Sequence, residues 1–403
     1  MKYVVLRSDG AGDPFLEPVS VHGADLDWAV SVVDADRREE AELASDPAVL
    51  EVAPEVSLQL VEPQTDGGDS SPVDDPAWAF KASGLDSCGY SGKGVSVAVL
   101  DTGVDCEHLA FNGVAFESEL MRNFIVTSSS ESDVHNVRDS NGHGTHVLGT
   151  VLGRDVDAAR IGVAPGIARP IIGKVIDDRG GTTGALVRAM QWAVNCGADI
   201  IVMSLSMDFS KIVELFLAQD YPLVVATSRA LEAYQANIRL FDHLSAFLSA
   251  SSSRPLVFAA SGNNSLRQVD LRFTVGTVQP AGTKGFFSVG AVGVTGRGEA
   301  KIAPFSNTGC AYAGPGVAIE SARAGGGLAR MSGTSMAVPH VAGIAALWTQ
   351  ALFADGRRPR HWAEDVVRAL DTHARRAGLA RDDVGLGILQ APVAGFDELD
   401  SLW

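Results

Sequence analysis

Cysteine is scarce. The 403 residues include four, Cys88, Cys106, Cys196 and Cys310, with no CxxC pair, so neither a disulfide framework nor a zinc site is expected to organise the chain. Cys106 and Cys196 read as small buried hydrophobes. Positive charge is also short. Lys and Arg number 32 against 49 Asp and Glu, a formal net charge of −17, which disfavours nucleic acid and anionic membranes as partners. The N-terminus lacks the core of a secretory signal, because only Tyr3 to Leu6 are apolar before Arg7 and Asp9. With the scarcity of cysteine this points to the cytoplasm, secretion by another route being the alternative. The long apolar run from Met336 to Ala354 contains Pro339, His340 and mostly small residues, so a buried core helix is expected there rather than a membrane span. There is no internal repeat and no low-complexity tract. What remains is 46% hydrophobic and 20% charged. That is the make-up of a globular protein of one large or two ordinary domains.

Residues 1–62 read as a small α+β unit. Tyr3–Leu6, Trp28–Val33 and Val49–Val52 are strand candidates. Asp36–Ser45 is a charged helix with little apolar face, and Val56, Leu58 and Leu60 alternate with Ser57 and Gln59 as in a strand. Residues 63–75, rich in Gly, Pro, Ser and Asp, read as a linker. In 76–403, near-unbroken apolar runs (Val95–Leu100, Ile171–Ile176, Ile200–Leu205, Leu256–Ala260, Phe286–Val294) alternate with amphipathic segments. In one of these Leu186, Met190, Ala193 and Val194 fall at helical spacing between Thr182/Thr183 and Gly197. This pattern predicts an α/β fold: a central, mostly parallel sheet with helices on both faces. Leu240, Phe241, Leu244, Phe247 and Leu248 predict a further helix.

Three motifs carry chemistry: Asp101-Thr102-Gly103 at the end of an apolar strand, Asn141-Gly142-His143-Gly144-Thr145-His146-Val147, and Gly333-Thr334-Ser335-Met336-Ala337. A serine hydroxyl is a weak nucleophile until a base takes its proton. Imidazole is that base near neutral pH, and a carboxylate orients the ring and stabilises its cation. The glycines before His143 and Ser335 and the apolar runs after them put both near helix N-termini. For Ser335, free backbone N–H groups would favour an oxyanion beside the hydroxyl. Ala260-Ser261-Gly262-Asn263, just past another strand, offers the Asn263 side-chain amide as a second donor.

Quoted in full, Val-Ala-Val-Leu-Asp-Thr-Gly-Val-Asp, Asn-Gly-His-Gly-Thr-His-Val and Ser-Gly-Thr-Ser-Met-Ala-Val-Pro-His-Val-Ala-Gly resemble the three signature blocks of the subtilisin-like serine proteases, in the family's order Asp, His, Ser. The resemblance covers about residues 76–395. It implies Asp101 as orienting carboxylate, His143 as general base and acid, Ser335 as nucleophile and Asn263 as oxyanion donor. It implies no cofactor requirement, although the family often binds calcium. Residues 1–62 resemble the family's propeptide, which assists folding, inhibits the active site and is cut off; a permanently attached regulatory domain is the alternative. The substrate-edge strand, Ser-Leu-Gly-Gly in the family, is here Ser204-Leu205-Ser206-Met207. The substrate would lie along Ser204, Leu205 and Ser206 on one side and Ala260, Ser261 and Gly262 on the other, adding a strand. Residues 208–228 read as an insertion forming a flap near that groove.

Other readings are weaker. Asp101-Thr102-Gly103 also fits an aspartic protease, but the chain has no second Asp-Thr-Gly or Asp-Ser-Gly. Gly142-His143-Gly144 with Gly149 lacks the preceding strand of a dinucleotide turn. His146 and His340 read as packed core residues. His22, His108, His135, His243, His361 and His373 show no metal spacing. Glu131-Ser132-Asp133 and Asp139-Ser140-Asn141 read as a solvated acidic loop, with calcium as an alternative. The expectation is therefore a monomeric serine endopeptidase of proteins or peptides, with no metal in its chemistry, inhibited by its own N-terminal domain. The competing expectation is a binding or scaffold protein whose triad is occluded by a permanent N-terminal plug.

Overall fold

The structure is a computed structural model and describes residues 1–8, 28–64, 75, 77–126, 130–354 and 356–395. The stretch between the first two strand candidates and most of the linker, residues 65–74, lie outside the described residues.

The N-terminal unit has strands β1 (Lys2–Arg7), β2 (Ala29–Asp34), β3 (Val49–Pro54) and β4 (Ser57–Leu60) and helix α1 (Arg37–Ala44). Strands β2, β1 and β3 form an antiparallel sheet in that order. Helix α1 buries none of its residues, as its charged sequence dictates. It starts at a capping box in which the Asp36 side chain accepts from the Glu39 N–H and Glu39 from the Asp36 N–H.

The following chain begins with α2 (Trp78–Ala82), β5 (Val97–Asp101), β6 (Met121–Asn123), α3 (Glu131–Val134) and α4 (His143–Leu152). It continues with β7 (Ile171–Lys174), β8 (Ile176–Asp177), β9 (Gly180–Thr182), α5 (Thr183–Asn195), β10 (Ile200–Met203), β11 (Leu205–Met207), α6 (Phe209–Leu217) and α7 (Leu223–Ala250). It ends with β12 (Leu256–Ala260), β13 (Phe287–Val294), β14 (Ala300–Ile302), β15 (Tyr312–Pro315), β16 (Ile319–Ala322), β17 (Leu328–Met331), α8 (Thr334–Leu352), α9 (Trp362–His373) and α10 (Arg381–Val384).

Eight strands make the main sheet, in the order β14-β13-β12-β10-β5-β7-β6 with β15 beside β13. All its pairings are parallel except β13 with β14. Strands β5, β10 and β12 are buried along their whole length, which is why their sequences run apolar without alternation. One face carries α4 and α8, the other α5 and α7, each with its own hydrophobic core. Helix α8, the apolar run of the sequence, is buried from Thr334 to Thr349. No helix among the described residues is long and apolar enough to cross a membrane. Residues 208–228 form α6 and the first turns of α7. Asp208 caps α6 by accepting from the Ser210 and Lys211 N–H groups.

A second sheet, β11-β4-β9-β8, joins the two units. Strand β4 lies between β11 and β9, antiparallel to both. The second core is continuous with the N-terminal unit, since Val4, Leu6, Trp28, Val30, Ala53, Val56 and Leu58 belong to it. Gly184 on α5 allows the approach. A Cβ there would stand 2.5 Å from Glu55 Oε1 and 2.7 Å from Val32 Cγ2, closer than such contacts permit.

Candidate active site

Asp101 ends β5, at the carboxyl edge of the parallel sheet where open α/β folds build their sites. His143 is the first residue of α4, entered through Gly142 at φ 95°. Asp101 Oδ1 stands 2.7 Å from His143 Nδ1, and both side chains are 1% exposed. The same Oδ1 accepts from the Thr102 N–H at 2.8 Å. The ring therefore carries its proton on Nδ1 and offers Nε2 as a base. Burial works against a charged ring. The charge and hydrogen bond of Asp101, with Asp139 and Glu62 farther off, outweigh it and hold the His143 pKa above the usual imidazole value.

The first two motifs meet through their glycines. A Cβ on Gly144 would lie 2.2 Å from Gly103 O, and one on Gly103, at φ 111°, 2.1 Å from Val137 O. A second carboxylate holds the junction. Asp139 Oδ1 accepts from Thr102 Oγ1 at 2.9 Å, from Asn141 N at 3.1 Å and from Gly142 N at 2.8 Å. Its Oδ2 accepts from Thr145 N at 2.9 Å and Thr145 Oγ1 at 2.6 Å. Thr102 Oγ1 in turn accepts from Gly144 N at 2.9 Å. This corrects the reading of 139–141 as a solvated loop at Asp139 alone, since Ser140 and Asn141 are exposed. Asp139 is 6% exposed and spends both oxygens on protein donors, so it does not fit a calcium ligand, while Glu131 and Asp133 are exposed on α3. Among the described residues no group of three or more His, Cys, Asp or Glu side chains is placed to hold a metal ion.

Ser335 is the second residue of α8 and is fully buried. Asn263 lies just past β12. Its Oδ1 accepts from Thr334 N and Thr334 Oγ1, both at 2.9 Å, which aims Nδ2 outward. The loop carrying it is anchored by Asn307, fully buried, which donates to Ser261 O at 3.1 Å and accepts from Asn264 N at 3.0 Å and Ser265 N at 3.1 Å. Gly262, at φ 108°, leaves room for that amide, since a Cβ there would stand 2.3 Å from Asn307 Nδ2.

The groove beside these groups is filled by the protein's own chain. Along β4, Leu58 faces Met207, Gln59 faces Ser206 and Leu60 faces Leu205, and the Val61 N–H donates to Ser204 O at 3.0 Å. Ser335 Oγ donates to Val61 O at 2.8 Å. Asn263 Nδ2 donates to Glu62 O at 2.8 Å. Gln64 N donates to Ser332 O at 2.7 Å, so the first linker residues are seated rather than free. Among the described residues His143 Nε2 has no hydrogen-bond partner. Asp101 and His143 are thus joined, Ser335 and Asn263 face the same segment, and the Ser335 hydroxyl is engaged by Val61 instead of by the imidazole. Of the predicted groove residues, Leu205 and Ser206 face β4 and Ser204 bonds Val61 just past it. Ala260, Ser261 and Gly262 form the buried strand end and turn that carry Asn263.

Two histidines sit in the core as expected. His146 Nε2 faces Ile319 O at 3.0 Å and Ala329 O at 3.2 Å, and His340 Nδ1 faces Met336 O at 3.1 Å. Burial lowers their pKa values to about 3 and about 4. Sequence reasoning missed Asp139, Thr102 and Asn307. The one signal for the first two was position: each lies within or beside a motif already singled out.

Residues 92–387 match the model of the subtilase family. Subtilisin of Bacillus pumilus is 32% identical over 289 residues, 68% of this chain and 86% of its own length. Subtilisin E of Bacillus subtilis (strain 168) is likewise 32% identical over 289 residues, but the match spans 62% of its length. Subtilisin-like protease 1 of Trichophyton tonsurans is 30% identical over 320 residues, 76% of this chain and 51% of its own. Among solved structures, fervidolysin from Fervidobacterium pennivorans, described as a keratinolytic enzyme related to subtilisin, superposes with a TM-score of 0.65 at 20% identity over 96% of this chain and 60% of that one; this likeness speaks to the fold. The chain belongs to the subtilase family of serine endopeptidases.

Proposed function

We propose that the chain hydrolyses peptide bonds through an acyl-enzyme on Ser335 and that its N-terminal unit inhibits it by occupying the groove. Ser335 Oγ bonds to the substrate carbonyl carbon while its proton passes to His143 Nε2. Asp101, fixed on Nδ1, stabilises the imidazolium. The carbonyl oxygen, now an oxyanion, is held by Asn263 Nδ2 and the N–H at the start of α8. His143 returns the proton to the leaving nitrogen as the C–N bond breaks, and water then repeats the sequence on the ester. The hydroxyl, imidazole and carboxylate need no cofactor for these steps. A substrate would add a strand between β11 and β9, as β4 does. The observation that carries this reading is that Ser335 Oγ and the Asn263 amide both meet one extended segment, the amide on a peptide carbonyl at 2.8 Å, while the charge of Glu62 on that segment acts on the ring of the Asp101–His143 pair.

Leu58→Asp places a charge at a fully buried strand position and should free the groove. A fluorophosphonate should then label the chain, and Ser335→Ala in that background should abolish the label. Equal labelling with and without Ser335 would reject the assignment.

A further inference from the structure

The segment lying across the site is bonded on both sides of the reactive groups. Val61 N holds it to Ser204 O before Ser335, and Gln64 N holds it to Ser332 O beyond. Two peptide bonds pass the reactive groups, and each lacks something that cleavage requires. The Val61 carbonyl faces Ser335, but its oxygen accepts the serine's own proton, and the Asn263 amide is on the next carbonyl. The Glu62 carbonyl has the Asn263 amide, but the nitrogen that would leave belongs to Pro63. That nitrogen carries a ring methylene in place of hydrogen, and the ring fixes its φ near −65°. It cannot turn freely to bring its lone pair toward His143 as the C–N bond breaks, so the proton transfer that releases the amine is obstructed. Pro63 passes beside the start of α8, where a Cβ placed on Gly333 would make ordinary contact with Pro63 Cα at 3.6 Å.

We propose that Val61-Glu62-Pro63-Gln64 is a cleavage-resistant latch. The chain keeps the Glu62–Pro63 bond intact in its own groove, and its activity is governed by reversible release of β4 instead of a single self-cleavage at that point. The inference rests on the protease reading given above. The shared core favours retention, since Leu58 is fully buried and Trp28 of the N-terminal unit stacks on Phe247 of α7 with ring centroids 5.2 Å apart.

The test compares the purified full-length wild type and Pro63→Ala, incubated at neutral pH and followed by intact mass. Leu58→Asp, with and without Ser335→Ala, is assayed in parallel for casein hydrolysis. The wild type should remain uncut at Val61–Glu62 and Glu62–Pro63. Pro63→Ala should be cut after Glu62 at least tenfold faster, at a rate independent of protein concentration. Cleavage of the wild type at either bond at the rate of the variant would overturn the latch. So would a Pro63→Ala chain that stays intact while Leu58→Asp hydrolyses casein in a Ser335-dependent way, because the proline would then not be what protects the bond. If no Ser335-dependent hydrolysis appears in Leu58→Asp and Pro63→Ala stays uncut, the protease reading has failed, and the latch fails with it.

Discussion

At the scale of single residues, the candidate site depends on short, buried contacts whose partners are far apart in sequence. Asp101 does two things for His143: it fixes the tautomer and it favours the charged ring against the penalty of burial. Asp101→Asn keeps the shape and removes both effects. In the released Leu58→Asp chain it should lower kcat by about 10³–10⁴-fold with little change in KM. The base must be neutral, so kcat/KM of the released Leu58→Asp parent should fall with decreasing pH through a value above the ordinary imidazole range. In the asparagine variant that acid limb should move to lower pH, because the raising contribution of Asp101 is gone. A pH–rate profile of both chains reads the shift, and an unmoved limb would sink the role given to Asp101. Asp101, His143, Ser335 and Asn263 could be proposed from the sequence because each stands in a glycine-containing motif, Asp101 and Asn263 just past an apolar run and His143 and Ser335 just before one. Asp139 and Asn307 were not. They work by satisfying backbone donors and acceptors, and a residue in that role leaves no periodic or compositional trace.

At the scale of elements, the apolar strands and the long buried helix could be read from the sequence, because a parallel sheet covered on both faces demands near-unbroken apolar segments. The pairing of β4 with β11 could not. Its alternation marks a strand, yet nothing in residues 57–60 names a partner near residue 206. That choice is made by the edges that β9 and β11 leave open. Two contacts at this junction differ sharply in weight. Leu58 is fully buried, and a Leu→Ala change at such a site costs about 2–5 kcal/mol. Arg239 on α7 meets Glu51 of β3 at 3.0 Å, but its side chain is 56% exposed, and a pair of that kind contributes roughly 0–1 kcal/mol. Leu58→Ala should therefore raise basal casein hydrolysis more than tenfold by loosening β4, and Arg239→Ala should change it by less than about fivefold. Equal effects would mean that burial along β4 is not what holds the groove closed.

At the scale of the whole molecule, the polar stretch after residue 62 suggests a division into two units, but nothing in the sequence reveals the core that residues on either side of it share. Trp28, Val56 and Leu58 have the burial of a small domain's own core, and they spend it against α5, α7 and β11. A core this continuous ties the N-terminal unit to the rest, so acid stability should be a property of the full chain. His340 and His146 are buried and neutral, with pKa values near 4 and 3 where an unconstrained imidazole has 6.5. Below pH 6.5 the unfolded chain binds protons that the folded chain refuses. The stabilisation present above 6.5 is therefore lost as pH falls toward the folded values. For His340 the full loss is about 3 kcal/mol, of which about 2 kcal/mol is gone by pH 5. His143 acts in the opposite direction: its raised pKa contributes stability below 6.5 that disappears as pH rises through its folded value. Urea melts at pH 7.5 and pH 5, in a Ser335→Ala background to prevent self-digestion, separate these contributions. The chain should be less stable at pH 5, and His340→Gln should lose about 2 kcal/mol less than its parent over that interval. Parallel losses in the two chains would show that His340 is not the group whose protonation the folded state resists.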